Sequence, residues 1–428
     1  SIPLIKHYED KQVKNRLLGF NEIVVLMKNM TVTFVATTHG HLFNEKLVQN
    51  AYDALCNRHP NFRINAFYNE LKQMIFRRVS NYFSKVEFIK DYSEEHWKKV
   101  VQAQCDNMTF KHSVNMPVHK LTVVQSKDKA TFIFSYAIWI GDGFSGHILT
   151  STLLNYYNKF YNRTPYDLTN PDFESLPMLE SLLKINRAIL SNDPDSKNKM
   201  DSYASQMKEN FFRYKRLTDL FPLDYHPEDP EQKMVEATSL PININYYDGS
   251  GKNFRSIKAF CKDNDFSLGS LLFAVGFFVI SRLSTEDVTK KGTFNSSILG
   301  NTDLRPRLNW NQEDVGLIMS YMDFHMTLDP EMTLLELCKE VCSFQLQYLK
   351  EKKVNYFLDS FSRLNFTDNE YVEVMKRNKG ATIESNISYI GNYPFDKIIE
   401  LDKKSHIILD RMYCAVSPLT PFFGAPLV

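Results

Sequence analysis

Residues 131–147 (TFIFSYAIWIGDGFSGH) constrain the fold of this chain more than any other stretch. The β-branched and aromatic side chains from Thr131 to Ile140 predict a buried strand. Two glycines then bracket an acid at Gly141-Asp142-Gly143, and Phe144–Leu154 reads as a helix packed back on that strand. A strand that breaks through such a turn into a helix sets polar groups at the end of a sheet. An aspartate between glycines is by itself an ordinary turn, so its meaning depends on the neighbouring segments.

Upstream, Ile23–Val35 alternates like a strand, and Asn44–His59 carries Leu47, Val48, Ala51 and Leu55 at helical spacing until Pro60 stops it. Residues 117–140 read as a hairpin turning at Lys127-Asp128-Lys129. Ser191–Ser202 (SNDPDSKNKMDS) is the most polar stretch and predicts a linker or surface excursion. The second half repeats the pattern: helices at Ser250–Asn264 and Ser267–Arg282, strands at Phe294–Asn301 and Ile318–Leu328, and a long helix at Leu334–Lys350. Strands at Ile383–Gly391 and His406–Val416 finish it. The helix at Ser267–Arg282 is so apolar that it should be surrounded on all sides. This alternation predicts an α/β chain of two lobes with mixed sheets and a site between them. The expected boundaries are an N-terminal lobe over 1–195, a linker or excursion over 196–234 and a C-terminal lobe over 235–428.

Charge and cysteine content remove several function classes. Lys+Arg against Asp+Glu is 51 to 50 in 428 residues, which argues against nucleic acid as a partner. The six cysteines are sparse and Cys338 and Cys342, one helical turn apart, have no cluster beside them, so a reducing, cytoplasmic setting without a metal is expected. The longest uncharged run, Phe266–Ser281, has 16 residues, short of the ~20 that span a bilayer. His39-Gly40-His41 and Gly249-Ser250-Gly251-Lys252 suggest a metal or a phosphate only weakly, the second lacking its leading glycine.

Several segments together resemble the chloramphenicol-acetyltransferase-like superfamily, which includes nonribosomal-peptide condensation domains. The closest likeness is to the fungal alcohol acetyltransferases, including sphingoid-type N-acetyltransferases. Asp142-Gly143 match the end of the family's His-x-x-x-Asp-Gly. Asn57-Arg58-His59-Pro60-Asn61-Phe62, Leu176-Pro177-Met178-Leu179-Glu180 and Asn301-Thr302-Asp303-Leu304-Arg305-Pro306-Arg307 are similar to three further family segments, in the same order. Ser388-Tyr389-Ile390-Gly391 stands where the family tends to have Ser-Asn-x-Gly. The chain departs from the pattern at two positions: Ile138 replaces the motif histidine, and Tyr389 replaces the asparagine.

The resemblance implies two acyltransferase-like lobes and a tunnel between them, lined by Tyr136, Ile138, Ser388, Tyr389 and Gly391. It implies an acyl-CoA-dependent transfer, with acetyl-CoA as co-substrate and no bound cofactor, to an amphipathic amine or alcohol. Asp142, with Gly143, would hold the loop in shape by pairing with an arginine, Arg305 first and Arg307 second. The family histidine acts as general base, worth ~10²–10⁴ in rate, and isoleucine supplies none of that. Two expectations follow. Either the acceptor is an amine that attacks without help, or the chain is an inactive pseudoenzyme that binds a ligand or a protein partner. Val13–Val25, basic then apolar, would give peripheral contact with a membrane, such as endoplasmic reticulum or a lipid droplet; a packed helix and strand is the competing reading.

Overall fold

The computed structural model describes residues 16–17, 30–79, 84–91, 93, 95–108, 110–164, 188, 190–191, 193–213, 243–283, 292–308, 311–361, 383–417 and 425–427. The first half of the chain runs β1 (Arg16–Leu17), β2 (Thr31–His39), α1 (Glu45–Arg58), β3 (Ile64–Tyr68), β4 (Met74–Arg78), β5 (Glu87–Lys90), α2 (His96–Asn107), β6 (His119–Gln125), β7 (Lys129–Ala137) and α3 (Gly143–Tyr161). After α4 (Ser196–Arg213) come α5 (Gly251–Asp263), α6 (Leu268–Leu283), β8 (Phe294–Asp303), β9 (Met319–Leu328), α7 (Leu334–Lys350) and α8 (Lys353–Phe361). The last strands are β10 (Ser385–Ile387), β11 (Ile398–Glu400), β12 (His406–Ser417) and β13 (Ala425–Leu427).

The fold is α/β with mixed sheets. A six-stranded sheet has the order β11-β12-β2-β7-β6-β5, antiparallel except where β5 joins β6. Its two central strands alternate in the way a sheet covered on both faces requires. Phe34, Ala36, Phe132 and Phe134 point into one core with α1 and α3, while Val35 and Ile133 meet Trp97 and Val101 of α2 on the other side. A four-stranded sheet, β13-β10-β8-β9, carries the second core, with α6 and α7 supplying Phe273, Phe277, Leu337 and Val341. A small antiparallel sheet, β1-β4-β3, completes the set.

Sheet membership departs from the expected boundaries. β11 and β12 come from the C-terminal segment, yet β12 pairs with β2 from Ser417↔Thr31 to Ile408↔His39. Without β12 the nine residues of β2 would present an open edge. Ile407 and Leu409 are buried in the first core, so the pairing also removes apolar surface from water. The stretch from residue 196, expected to be a linker or an excursion, begins as helix α4, with Met200, Tyr203 and Met207 in the second core. Its polar side chains misled because only one face is buried, and that face carries the apolar residues. α6 is not surrounded: Leu272, Val275, Val279 and Leu283 are exposed along one stripe. Leu176–Glu180 and nearly all of Val13–Val25 lie outside the described residues. No single helix among the described residues is long and apolar enough to cross a membrane.

α3 lies close on the sheet because Gly146 has no side chain. A Cβ there would sit 2.1 Å from the ring of Phe34, which is fully buried. Gly146→Ala should therefore lower stability by about 2–3 kcal/mol, the cost of an overpacked core, read as a fall in the urea midpoint at unchanged slope. An unchanged midpoint would mean that the contact is not tight.

Candidate functional site

The site begins where β7 ends. After Ala137 the backbone tightens into a 3₁₀ turn over Ile138–Ile140, with the Gly141 N–H donating to the Ile138 carbonyl at 3.3 Å. A Cβ at Gly141 would meet the Tyr136 ring at 3.0 Å and the Ser145 Cβ at 3.2 Å, so any larger residue would have to push its neighbours aside. Asp142 then caps α3: its Oδ1 accepts from Ser145 N (2.8 Å), and Asp142 N donates to Ser145 Oγ (3.2 Å). Tyr136 donates its hydroxyl to the Asp142 carbonyl at 2.7 Å.

The other half of the chain reaches the same carboxylate. Arg305, just past β8, donates Nη1 to Asp142 Oδ2 (3.0 Å) and Nη2 to Oδ1 (3.2 Å). Ile318 N donates to Oδ2 at 3.0 Å. Arg305 is fully buried and spends its remaining N–H groups on the Asp314 and Gly316 carbonyls and on Asp303 Oδ1 (2.9 Å). Burial disfavours the guanidinium charge, but Asp142 and Asp303 outweigh it and hold its pKa above the ordinary value. Arg307, the second candidate partner, is exposed.

Beside this pair lies a cavity of about 110 Å³ between the end of β7, the start of α3, the adjoining ends of β8 and β9, and the segment after β10. Met30, Val32, Ile138, Phe144, Ile390 and Val416 give it apolar walls; Asp142, Asp303, Tyr321, Ser388 and Tyr389 give it polar ones. The volume is below the ~300–1,000 Å³ usual for a whole small-molecule ligand, so it suits a head group or a short acyl group.

Of the residues singled out in the sequence, Ile138, Asp142, Gly143, Ser388 and Tyr389 line this one cavity. Tyr136 does not; it is buried behind the turn and serves the Asp142 carbonyl. Gly391 is exposed, in the left-handed region at φ +86°, and does not line it. The sequence reading missed Asn301, Thr302, Asp303, Tyr321, Asn386 and Cys414 as lining residues. Asp303 had a signal, since it sits two residues before Arg305 at the end of a strand. Cys414 had none, because only the β12–β2 pairing brings it near.

No histidine, lysine or arginine lines the cavity among the described residues. His147 is held on α3 among the rings of Phe34, Phe144 and Tyr393, where burial pushes it down to about 4 despite the pull of Asp142. His119 is buried between the Tyr52 hydroxyl (2.6 Å) and the Phe62 carbonyl (2.9 Å). The Cys414 thiol is pushed up to about 12, first by burial, so it is not a thiolate nucleophile near neutrality. No cluster of metal-ligating side chains occurs among the described residues; His41 instead bonds Ser405 and Tyr157, and Ser250 caps α5.

No protein-family model matches the chain, and no curated protein matches it. Solved structures are similar. The first condensation domain of the CDA synthetase superposes with a TM-score of 0.63 at 8% identity, over 97% of this chain and 88% of that one. The condensation domain of the monacolin K polyketide synthase MokA gives 0.61 at 12% identity, over 94% and 86%. The starter condensation domain of rhizomide synthetase, in complex with C8-CoA, gives 0.56 at 9% identity, over 96% and 84%. The fold is therefore that of condensation domains, within the chloramphenicol-acetyltransferase-like class.

The geometry sets two measurable outcomes. Asp142→Asn should cost about 3 kcal/mol of stability, because it leaves a buried guanidinium underpaired, while ligand affinity changes less. A variant that melts like the parent would show the pair to be dispensable. His147 has a folded pKa below its unfolded 6.5, so the unfolded chain binds the extra proton between pH 6.5 and about 4. Its contribution is intact above pH 6.5 and is lost as pH falls through that window, about 2 kcal/mol between pH 7 and 5. His147→Phe should remove that part of the slope in denaturant titrations; an unchanged slope would exclude His147 as its source.

Proposed function

We propose that this chain is an acyltransferase-type protein that moves a short acyl group, acetyl foremost, from a CoA thioester to an amphipathic amine. In kind it would stand nearest the fungal alcohol acetyltransferases and their sphingoid-type N-acetyltransferase relatives. The observation that carries this reading is Ile138: it lines the cavity at the turn after β7, where the family places its base. An alcohol attacks a thioester only once its proton is taken. A neutral amine needs no such help if the cavity aligns it with the thioester carbon. The condensation-domain fold supports acyl transfer as the reaction class, and the small, largely apolar cavity supports a short acyl group and an amphipathic acceptor.

A second reading is an inactive member of the fold that binds a ligand or a protein partner. The absence of histidine from the lining favours it, together with the protonated state of Cys414. In either case acetyl-CoA would be a co-substrate or ligand and not a resident cofactor. The acceptor would come from a cytoplasmic membrane surface, endoplasmic reticulum or lipid droplet.

Acetyl transfer from acetyl-CoA to paired amine and alcohol acceptors of equal chain length separates these readings. Turnover of the amine, with the alcohol slower by at least about 10²-fold, is expected, and Ile138→His should raise the alcohol rate selectively. Faster turnover of the alcohol by the parent chain would overturn the amine reading. No turnover by either protein would leave only the binding role.

A further inference from the structure

Among the described residues, Asp303 is the carboxylate of the cavity with coordination to spare. Its Oδ1 is fixed by Arg305 N (3.1 Å) and Arg305 Nη1 (2.9 Å), which locks the side chain. Its Oδ2 accepts no hydrogen bond from the described residues, and the side chain is 25% exposed while lining the cavity. Asp142 has no such freedom, since both of its oxygens are already bonded. Two carboxylates thus share one buried guanidinium, with the exposed Arg307 near enough to Asp303 to feel its charge, and no cation lines the cavity among the described residues.

Other lining residues reinforce the same demand. Asn301 Oδ1, Thr302 Oγ1 and Asn386 Oδ1 are buried acceptors without a hydrogen-bond partner. A ligand with N–H donors and one positive charge matches this acceptor-rich lining better than one that brings only acceptors. A phosphate or carboxylate would meet only like charge. A metal ion would find too few free ligands.

We propose that the free oxygen of Asp303 is the docking point for the primary ammonium head of the ligand, with its alkyl chain against Met30, Val32, Ile138 and Val416. This rests on the reading of the cavity as the acceptor's site: Asp303 would select an amine over an alcohol at the binding step, and the docked ammonium must give its proton to water before the nitrogen attacks the thioester. Burial pushes the Asp303 carboxyl up, against the pull of Arg305 and with a small push from Asp142. Arg305 and Asp142 face it directly; Arg307 is exposed nearby; Tyr321, Tyr389 and Cys414, the other titratable lining groups, stay neutral near pH 7. Ammonium affinity should therefore fall on acidification as Asp303 takes up a proton, with the fall starting at a higher pH than for an ordinary aspartate.

The test is calorimetry with hexylammonium and 1-hexanol as probes. The parent protein should bind hexylammonium at least about tenfold more tightly than hexanol, the gain of a charge-assisted hydrogen bond. Asp303→Asn keeps an acceptor for Arg305 and should abolish that preference while leaving hexanol affinity unchanged; Asp303→Glu should keep it. Should Asp303→Asn fail to fold, the parent answers alone: hexylammonium affinity must fall in acid while hexanol affinity does not. An undiminished preference in Asp303→Asn, or affinities for the two probes that fall together in acid, overturns the assignment and leaves the acyltransfer reading standing. A parent protein that binds neither probe overturns both.

Discussion

The Asp142–Arg305 ion pair is the constraint on which the rest of the structure depends. It ties the turn after β7 to the turn after β8, and those strands lie in different sheets with separate cores. Each partner would be costly to bury alone. The cost is met by saturation: Asp142 accepts from Ser145 N, Ile318 N and Arg305, while Arg305 also reaches two backbone carbonyls. Such a network tolerates little displacement, because moving either sheet would strand several donors at once. The cavity lies against this network and so inherits a fixed geometry on that side.

The same guanidinium sets the field in the cavity. Arg305 can neutralise one carboxylate fully, and the geometry gives that role to Asp142, which it grips with two nitrogens; Asp303 receives one. The residual charge therefore sits on the cavity side of the pair. With Ile138 also in the lining, the chemistry differs from that of a site built around a histidine. Such a site titrates near neutrality and activates a neutral nucleophile. This one presents a fixed anionic point within apolar walls, which recognises charge and shape without supplying a base of suitable strength.

The parts of the site legible in the sequence were those encoded locally. Gly141-Asp142-Gly143 after a β-branched strand located the turn and the cap of α3, because strand, breaker and capping residues adjoin. Arg305 was found only through likeness to a family segment, since nothing local says what a buried arginine pairs with. Polar composition around 191–202 concealed α4, because its apolar face, Met200, Tyr203 and Met207, lies mostly beyond that stretch. The apolar run in α6 suggested full burial, yet an exposed stripe remains, because hydrophobicity does not report which neighbours the fold supplies. The placement of β12 beside β2 was the least legible feature: its pattern announces a strand, but the partner lies more than 370 residues away.

That long-range pairing also bears on how the cavity forms. β12 contributes Cys414 and Val416, β2 contributes Val32, and the residue just before it is Met30, so one apolar wall exists only after the two ends of the chain meet. The opposite walls come from β8, β9 and the segment after β10, which belong to the second sheet. The cavity is thus assembled by contacts of high sequence separation, as is the first core, which takes Ile407 and Leu409 from the far end of the chain. The ion pair is of the same kind, because Asp142 and Arg305 become neighbours only when the two sheets dock. Sheet docking, charge burial and the cavity thus rest on the same long-range contacts, so the ion pair holds in place the two sheets that wall the cavity.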